Sequence, residues 1–145
     1  MFLLDTNVLS ELRREDRADA HVAAWARTVD HLQIYLSAIT ILEIEAGTLL
    51  LARRDAQQGR VLRTWIDGHV LPAFDGRILA VDTAVAQRCA QLHVPDRRAE
   101  RDALIAATAL VHRLKVVTRN VADFKPMGLD PINPWEHASP ASPAT

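Results

Sequence analysis

The sequence predicts an α/β/α sandwich, in which a central parallel sheet of four or five strands lies between two layers of helices. Short apolar runs alternate along the chain with segments of helical pattern, which is typical of strands joined by crossover helices. The first run is continuously apolar, as expected for a strand that is buried on both faces of a sheet. With 145 residues, the chain is long enough to bury a full core in one domain.

The first quarter of the chain contains two predicted strands and two predicted helices. Four apolar residues at 1–4 predict the first strand, and Asp5 follows it directly. A short helix over 6–12 and another over 20–29 are separated by a polar stretch. Residues 33–37 are apolar except at their ends and predict the second strand.

The middle of the chain begins with a helix over 38–54, which is apolar on most sides and therefore largely buried. Residues 57–71 show an amphipathic pattern, and we expect Pro72 to end that helix because proline cannot continue the hydrogen-bond ladder. Residues 78–81 predict the third strand. Asp82 is placed to cap the helix that follows it.

The last part of the chain contains a long helix over 99–113 and a fourth strand over 115–118. Residues 131–133 predict a fifth strand at the edge of the sheet. We therefore expect one domain over 1–137. Residues 138–145 are rich in Ala, Ser and Pro, and this composition predicts a disordered tail.

Composition excludes several classes of protein. The formal net charge of −1 argues against a general attraction to nucleic acid, although it leaves room for a local basic rim. The single cysteine, Cys89, allows no internal disulfide, and its amphipathic surroundings favour a core position. No signal peptide and no apolar run of about 20 residues is present, so we expect a cytoplasmic protein without a membrane span.

Two acidic residues stand in positions that solvation alone does not explain. Asp5 lies at the carboxyl end of the first strand, where parallel sheets build their sites. Glu43 lies on the most apolar helix, where a carboxylate is costly unless it is paired or coordinated. Thr40 and Gly47 share its helix face, which indicates close approach of something small and polar.

Two further acids are expected near the same edge of the sheet. Asp102 begins a helix, where interaction with the helix dipole is the simplest role for a carboxylate. Asp123 follows the fourth strand, and it and Asn120 either reach Asp5 or cap the loop. Carboxylates that converge repel one another unless a cation holds them together, so the set predicts a divalent metal.

In order and spacing, these residues resemble the PIN-domain family, specifically the VapC-type toxins and their FitB-like branch. The resemblance covers most of the chain, from Leu3 to Trp135. It depends on five fragments, namely residues 3–11 (LLDTNVLSE), Thr40-x-x-Glu43-x-x-x-Gly47, residues 102–109 (DALIAATA), Thr118-x-Asn120-x-x-Asp123-Phe124 and Asn133-Pro134-Trp135.

The resemblance implies a PIN-like fold and an Mg²⁺- or Mn²⁺-dependent endoribonuclease. It implies the toxin of a type II toxin–antitoxin pair, usually a homodimer, that hydrolyses RNA. A cognate antitoxin of the VapB or FitA type would bind DNA and block the active site, so that the toxin meets DNA only indirectly. The acidic quartet of the family maps onto Asp5, Glu43 and Asp102. At the fourth position, where many relatives have an acid, this chain has Asn120, and Asp123 is the candidate replacement.

The expected mechanism is metal-assisted hydrolysis of a phosphodiester bond. Asp5 and Asp102 are candidate direct ligands, Glu43 ligates directly or through water, and Asp123 holds a second ion or orients the attacking water. Supporting roles are assigned to four residues: Thr6, Asn7, Thr118 and Asn120.

Two alternatives remain open at this point. Asp5 is a candidate nucleophile of a phosphatase, although such enzymes usually have a second acid where this chain has Asn7. A non-catalytic module is also consistent with the residues, with the acidic pocket serving only to capture an arginine of the antitoxin in a DNA-bound regulatory complex. Metal-stimulated RNA cleavage distinguishes these readings.

Overall fold

The protein forms one parallel sheet in a computed structural model that describes residues 1–14 and 16–138. Within these residues, the strands are Phe2–Leu4 (β1), Ile34–Ser37 (β2), Ile78–Leu79 (β3) and Lys115–Val117 (β4). Their order is β3-β2-β1-β4, and every neighbouring pair is parallel. The carboxyl ends of β1 and β4, at the centre and one edge of the sheet, therefore lie side by side.

The helices follow the strands in the predicted order. Their bounds are Thr6–Leu12 (α1), Ala20–Arg27 (α2), Ala38–Arg54 (α3), Ala56–Trp65 (α4), Leu71–Ala73 (α5), Thr83–Leu92 (α6), Glu100–His112 (α7) and Val121–Phe124 (α8). Short turns of 3₁₀ helix at His31–Gln33, Lys125–Met127 and Pro134–Glu136 connect them. None of the helices in the described part of the chain is both long and apolar enough to cross a membrane.

The α/β/α prediction is confirmed by the two cores that the sheet separates. Because side chains alternate along a strand, Leu3 and Leu4 of β1 point to opposite faces. Leu3 packs in a core with α6, α7 and α8, which also contains Cys89 as predicted. Leu4 packs in a second core with α1 and α2, in which Trp25 is buried.

One predicted helix end is wrong. The helical backbone does not stop before Pro72 but widens into a π-helical turn at Ile66–Val70 and continues through α5. The N–H of Leu71 reaches back five residues to the carbonyl of Ile66, which resets the ladder. Pro72 then stands in the first turn of the new segment, where its missing N–H leaves no bond unmade.

The predicted fifth strand is reduced to a single bridge, in which Ile132 lies parallel to Val117 at the β4 edge. Two backbone bonds of 2.9 Å hold it, from Ile132 to Val116 and from Thr118 to Ile132. The predicted disordered tail begins at residue 138. Residues 139–145 lie outside the described part of the chain, so the tail and the boundary at 137 stay predictions.

Candidate active site

Asp5 lies where β1 passes into α1, and its carboxylate is held from three directions. Its Oδ1 accepts the backbone N–H of Thr6 at 2.8 Å, and its Oδ2 accepts Asn7 Nδ2 at 3.1 Å. Thr118 Oγ1 donates to the same Oδ2 at 2.8 Å. Since a carboxylate oxygen accepts about two hydrogen bonds, Oδ1 is the atom that retains capacity for a cation. The residue is only 5% exposed.

Thr118 joins the ends of β1 and β4. Its buried hydroxyl donates to Asp5 and accepts the backbone N–H of Asn120 at 3.0 Å, with Asn7 Nδ2 at 3.4 Å. Asn7 in turn accepts the N–H of Arg119 at 3.1 Å through its Oδ1. Three of the supporting residues predicted from the sequence, Thr6, Asn7 and Thr118, therefore donate hydrogen bonds to Asp5. Asn120 joins the network through its backbone.

Glu43 reaches the same region from α3. Its Oε1 accepts a hydrogen bond of 2.7 Å from the hydroxyl of Thr6, the residue after Asp5. Its Oε2 lies 3.8 Å from Nη1 of Arg101, a half-exposed guanidinium one residue before Asp102. The costly carboxylate on an apolar helix is thus explained, because a hydroxyl and a cation from two other helices face it.

Asp102 lies in the first turn of α7, and its surroundings act against its negative charge. Burial raises the pKa of Asp102, and the charges of Asp5, Asp123 and Glu43 raise it further. A carboxylate that served only the helix dipole would be stabilised in its charged form, so its pKa would fall. The four acids therefore face a common region, called here the acid site (Asp5, Glu43, Asp102 and Asp123).

The acid site is wider than a set of direct ligands around one ion. Among residues 1–14 and 16–138, the group of three or more Cys, His, Asp or Glu side chains with ligand atoms within 4.8 Å of one another is Cys89, His93 and Glu100. No three of the four acids reach that spacing. The structure places Asp5, Glu43 and Asp102 in one region but not within ligand spacing of one another, so their predicted role as ligands of a shared ion stays a prediction. Mg²⁺ keeps several of its waters when it binds protein, so it can bridge carboxylates at such a spacing through water.

The compact group of Cys89, His93 and Glu100 lies between α6 and α7 and is a hydrogen-bonded cluster. Nδ1 of His93 accepts the N–H of Arg98 at 3.0 Å, so a neutral His93 carries its proton on Nε2. That atom faces Glu100 at 3.3 Å and the sulfur of Cys89 at 3.7 Å. Since metal binding needs a bare nitrogen, this arrangement opposes it.

A comparison with protein-family models supports the geometry. Residues 2–126 match the model of the PIN domain. The chain belongs to the PIN-domain family. The match contains every residue of the acid site, and it confirms the family resemblance that the five sequence fragments indicated.

Individual relatives are similar over nearly the whole chain. The VapC ribonuclease Y4jK of Sinorhizobium fredii is 38% identical over 143 residues, which are 95% of this chain and all of the relative. Toxin FitB of Neisseria gonorrhoeae is 38% identical over 140 residues, 93% of this chain and 99% of the relative. The crystal structure of FitAcB from that organism matches with a TM-score of 0.85, covering 94% of this chain and 99% of that one.

A more distant solved structure is the toxin-antitoxin complex from Klebsiella pneumoniae. It is 28% identical, with a TM-score of 0.62, and the match covers 86% of this chain and 90% of that chain. A chain similar to this one therefore occurs in a solved toxin-antitoxin complex.

The sequence left room for a basic rim around the acid site, but it gave no signal that pairs Arg101 with Glu43. The arginines before Asp102 were equally consistent with a solvated face, and the ion pair of Arg101 with Glu43 joins residues 58 positions apart. Such a contact has no local signal in a single sequence, because it depends on how α3 and α7 pack.

Proposed function

We propose that this chain is a metal-dependent endoribonuclease and the toxin of a type II toxin–antitoxin pair. The observation that carries the proposal is geometric: Thr6 links Asp5 to Glu43 and Thr118 links Asp5 to the end of β4, beside Asp102, whose pKa is raised by burial and by the three other acids. The names of its relatives agree with this assignment, since one is a VapC ribonuclease and another is a toxin. The family resemblance maps the acidic quartet onto Asp5, Glu43 and Asp102, with Asp123 as the candidate for the fourth position.

The residues of the acid site fit a hard divalent cation. Its donors are carboxylate oxygens, which suit Mg²⁺ or Mn²⁺ rather than a thiophilic metal. Asp5 and Asp102 would hold the ion, with Glu43 and Asp123 contributing directly or through water. When bound, such an ion lowers the pKa of a water molecule and stabilises charge on the phosphoryl oxygens.

The other residues of the chain position these groups. Thr118 and Asn7 fix Oδ2 of Asp5, and Thr6 fixes Oε1 of Glu43. Arg101 faces Glu43 and supplies a positive charge for a phosphate group at the edge of the site. Hydrolysis by in-line attack of water leaves 5′-phosphate and 3′-hydroxyl ends.

The proposed partners follow from the same assignment. A cognate antitoxin of the VapB or FitA type inhibits the toxin and brings it to promoter DNA, and the toxin itself is a homodimer in the cytoplasm. The solved toxin-antitoxin complex supports the first part of this proposal. The homodimer and the location rest on the family resemblance.

The phosphatase alternative is disfavoured by the state of Asp5. Such a phosphatase usually has a second acid two residues after the nucleophile, whereas here that residue is Asn7, which donates to Oδ2 of Asp5, and Asp5 itself is only 5% exposed. The binding-module alternative predicts the same geometry but no turnover, so only an activity measurement separates it from the nuclease.

The test is cleavage of single-stranded RNA by the antitoxin-free protein with Mg²⁺ and with EDTA. We expect cleavage with Mg²⁺ and none with EDTA, and we expect D5N to be inactive. The matched control is Asp130→Asn, which neutralises an exposed acid paired only with Lys115 at 3.8 Å, and it should cleave at the wild-type rate. Equal rates for D5N and wild type would defeat the proposed mechanism.

A further inference from the structure

A cleft of about 570 Å³ adjoins the acid site and has no part in the chemistry described above. One wall is formed by α1 and the residues after it, including Arg13 and Arg14, and the opposite wall by α3 and α4. Asn7 lies at the junction, because its side chain lines the cleft and also contacts Asp5. Arg119, whose N–H is bonded to Asn7, lines the cleft as well.

The lining of the cleft is positively charged. Arg13, Arg14 and Arg119 face one carboxylate, that of Glu11, and this carboxylate already accepts the N–H of Asp19 at 3.0 Å. Burial and the neighbouring charge of Arg14 lower the pKa of Arg13, so an anion between these groups is favoured. The cleft therefore complements a polyanion, although the whole chain has a net charge of −1.

Two of these arginines lie over the rings of tryptophans. The guanidinium carbon of Arg119 lies 4.9 Å from the ring centre of Trp135, and that of Arg13 lies 5.9 Å from Trp65. Stacking of this kind orients a guanidinium while its N–H groups stay available for phosphate. A guanidinium plane is also a surface on which an unpaired RNA base can stack.

Gly47 gives a second, independent argument for a ligand in the cleft. It is an exposed residue in the middle of α3, where glycine is unfavourable relative to alanine. A Cβ at this position would meet nothing within 4 Å, so the packing of the chain itself does not require glycine. Glycine is used where a ligand comes close to the backbone, and Gly47 lines this cleft.

We propose that the cleft binds the single-stranded RNA segment next to the cleaved bond, an inference that rests on the proposed nuclease function. Arg13, Arg14 and Arg119 contact phosphates, and the two stacked arginines offer planes for bases. A single strand fits because its bases are free to stack on side chains, whereas a duplex presents mainly its backbone.

The experiment measures binding of a short, fluorescent, mixed-sequence single-stranded RNA by anisotropy in EDTA, so that binding is independent of cleavage. The variants are Arg14→Gln, Arg119→Gln and Gly47→Leu. The matched control is Arg88→Gln, which removes the same charge from an exposed position on α6. Each lost phosphate contact lowers the slope of the logarithm of the binding constant against the logarithm of the salt concentration by about 0.7. At about 0.1 M salt, this corresponds to binding about five-fold weaker than that of the wild type.

The proposal requires that R14Q, R119Q and G47L bind the RNA more weakly than the wild type, and that R88Q binds it equally well. The melting temperature of G47L must stay at or above the wild-type value. Wild-type RNA affinity in all three cleft variants overturns it, and the proposed nuclease stands if the wild type still cleaves with Mg²⁺. Equal affinity for an acidic peptide of the same charge, weakened by the same variants, also overturns it in favour of a protein occupant. If the cleft variants lose RNA binding and the wild type does not cleave RNA, the RNA-binding cleft is supported and the proposed nuclease function is refuted.

Discussion

Replacing Thr118 with valine tests whether the hydroxyl that joins β1 and β4 holds the acid site together. The residue is fully buried, and valine has nearly the same shape, so packing is retained while the hydroxyl is lost. The variant loses the bond of 2.8 Å to Asp5 and leaves the N–H of Asn120 without its acceptor.

The expected cost follows mainly from the bond to Asp5. A hydrogen bond to a charged group contributes about 1.5–3 kcal/mol, and a buried carboxylate such as Asp5 that is left short of a donor costs about 1–3 kcal/mol, whereas Asn120 is exposed and its N–H can bond to water. Because the two effects overlap, we expect the free energy of unfolding to fall by about 3 kcal/mol. Activity should fall by about 100-fold, since a carboxylate displaced by about 1 Å loses its productive position.

Urea denaturation gives the free energy of unfolding, and RNA cleavage with Mg²⁺ gives the activity. Thr118→Ser is the matched control, because it keeps the hydroxyl and loses only a methyl group. It should lose about 1 kcal/mol and retain activity. The reasoning is refuted if T118V unfolds within about 0.5 kcal/mol of the wild type, a change typical of a surface substitution, and cleaves RNA normally.

Four other substitutions or additions have calculable outcomes. Asp102→Asn should raise the melting temperature in EDTA at neutral pH, because the native state raises the pKa of Asp102. The native state then binds more protons than the unfolded state, so wild-type stability falls as pH rises. The stability advantage of D102N should therefore shrink as the pH is lowered towards the ordinary aspartate pKa of about 3.9. A lower melting temperature for D102N than for the wild type at pH 7 contradicts this. Mg²⁺ at about 100 times its dissociation constant should stabilise the wild type by about 2.7 kcal/mol and D102N by much less, as thermal melting can show. Gly59→Ala places a Cβ 2.5 Å from Cβ and 2.7 Å from Cα of Ala52, so overpacking of about 1–3 kcal/mol should outweigh the helix propensity gain of about 1 kcal/mol. Gly47→Ala meets nothing within 4 Å and should be stabilising by urea denaturation, so equal effects at the two glycines would contradict the packing described here.

Much of the fold was predictable because local signals agreed with the tertiary structure. The prediction for α3 has the same ends as the helix, since Ser37 caps its start with a bond to Ile39 and Asp55 caps the helix after it. The end at Pro72 was wrong because a π turn is a property of the packed helix rather than of the proline. The short extent of β3 likewise depends on its single neighbour at the sheet edge.

The site was predictable only as far as strand ends and helix faces reveal it. Asp5 follows a strand, and Glu43 interrupts an apolar helix, so both were visible in the sequence. The hydrogen bond between Thr6 and Glu43 and the cleft of Arg119 and Trp135 were not, because they join residues from distant parts of the chain. The spacing of the acids was also hidden, since it depends on how β1, α3 and α7 pack together.

The most direct test of the central claim is calorimetric Mn²⁺ binding to the wild type and to D5N, E43Q, D102N and D130N. If the acid site shares one cation, the first three variants should bind Mn²⁺ at least about 10-fold more weakly and lose RNA cleavage in parallel, while D130N matches the wild type. Unchanged Mn²⁺ affinity in D5N and D102N, or affinity that is lost in His93→Gln instead, would contradict a metal centre at the ends of β1 and β4.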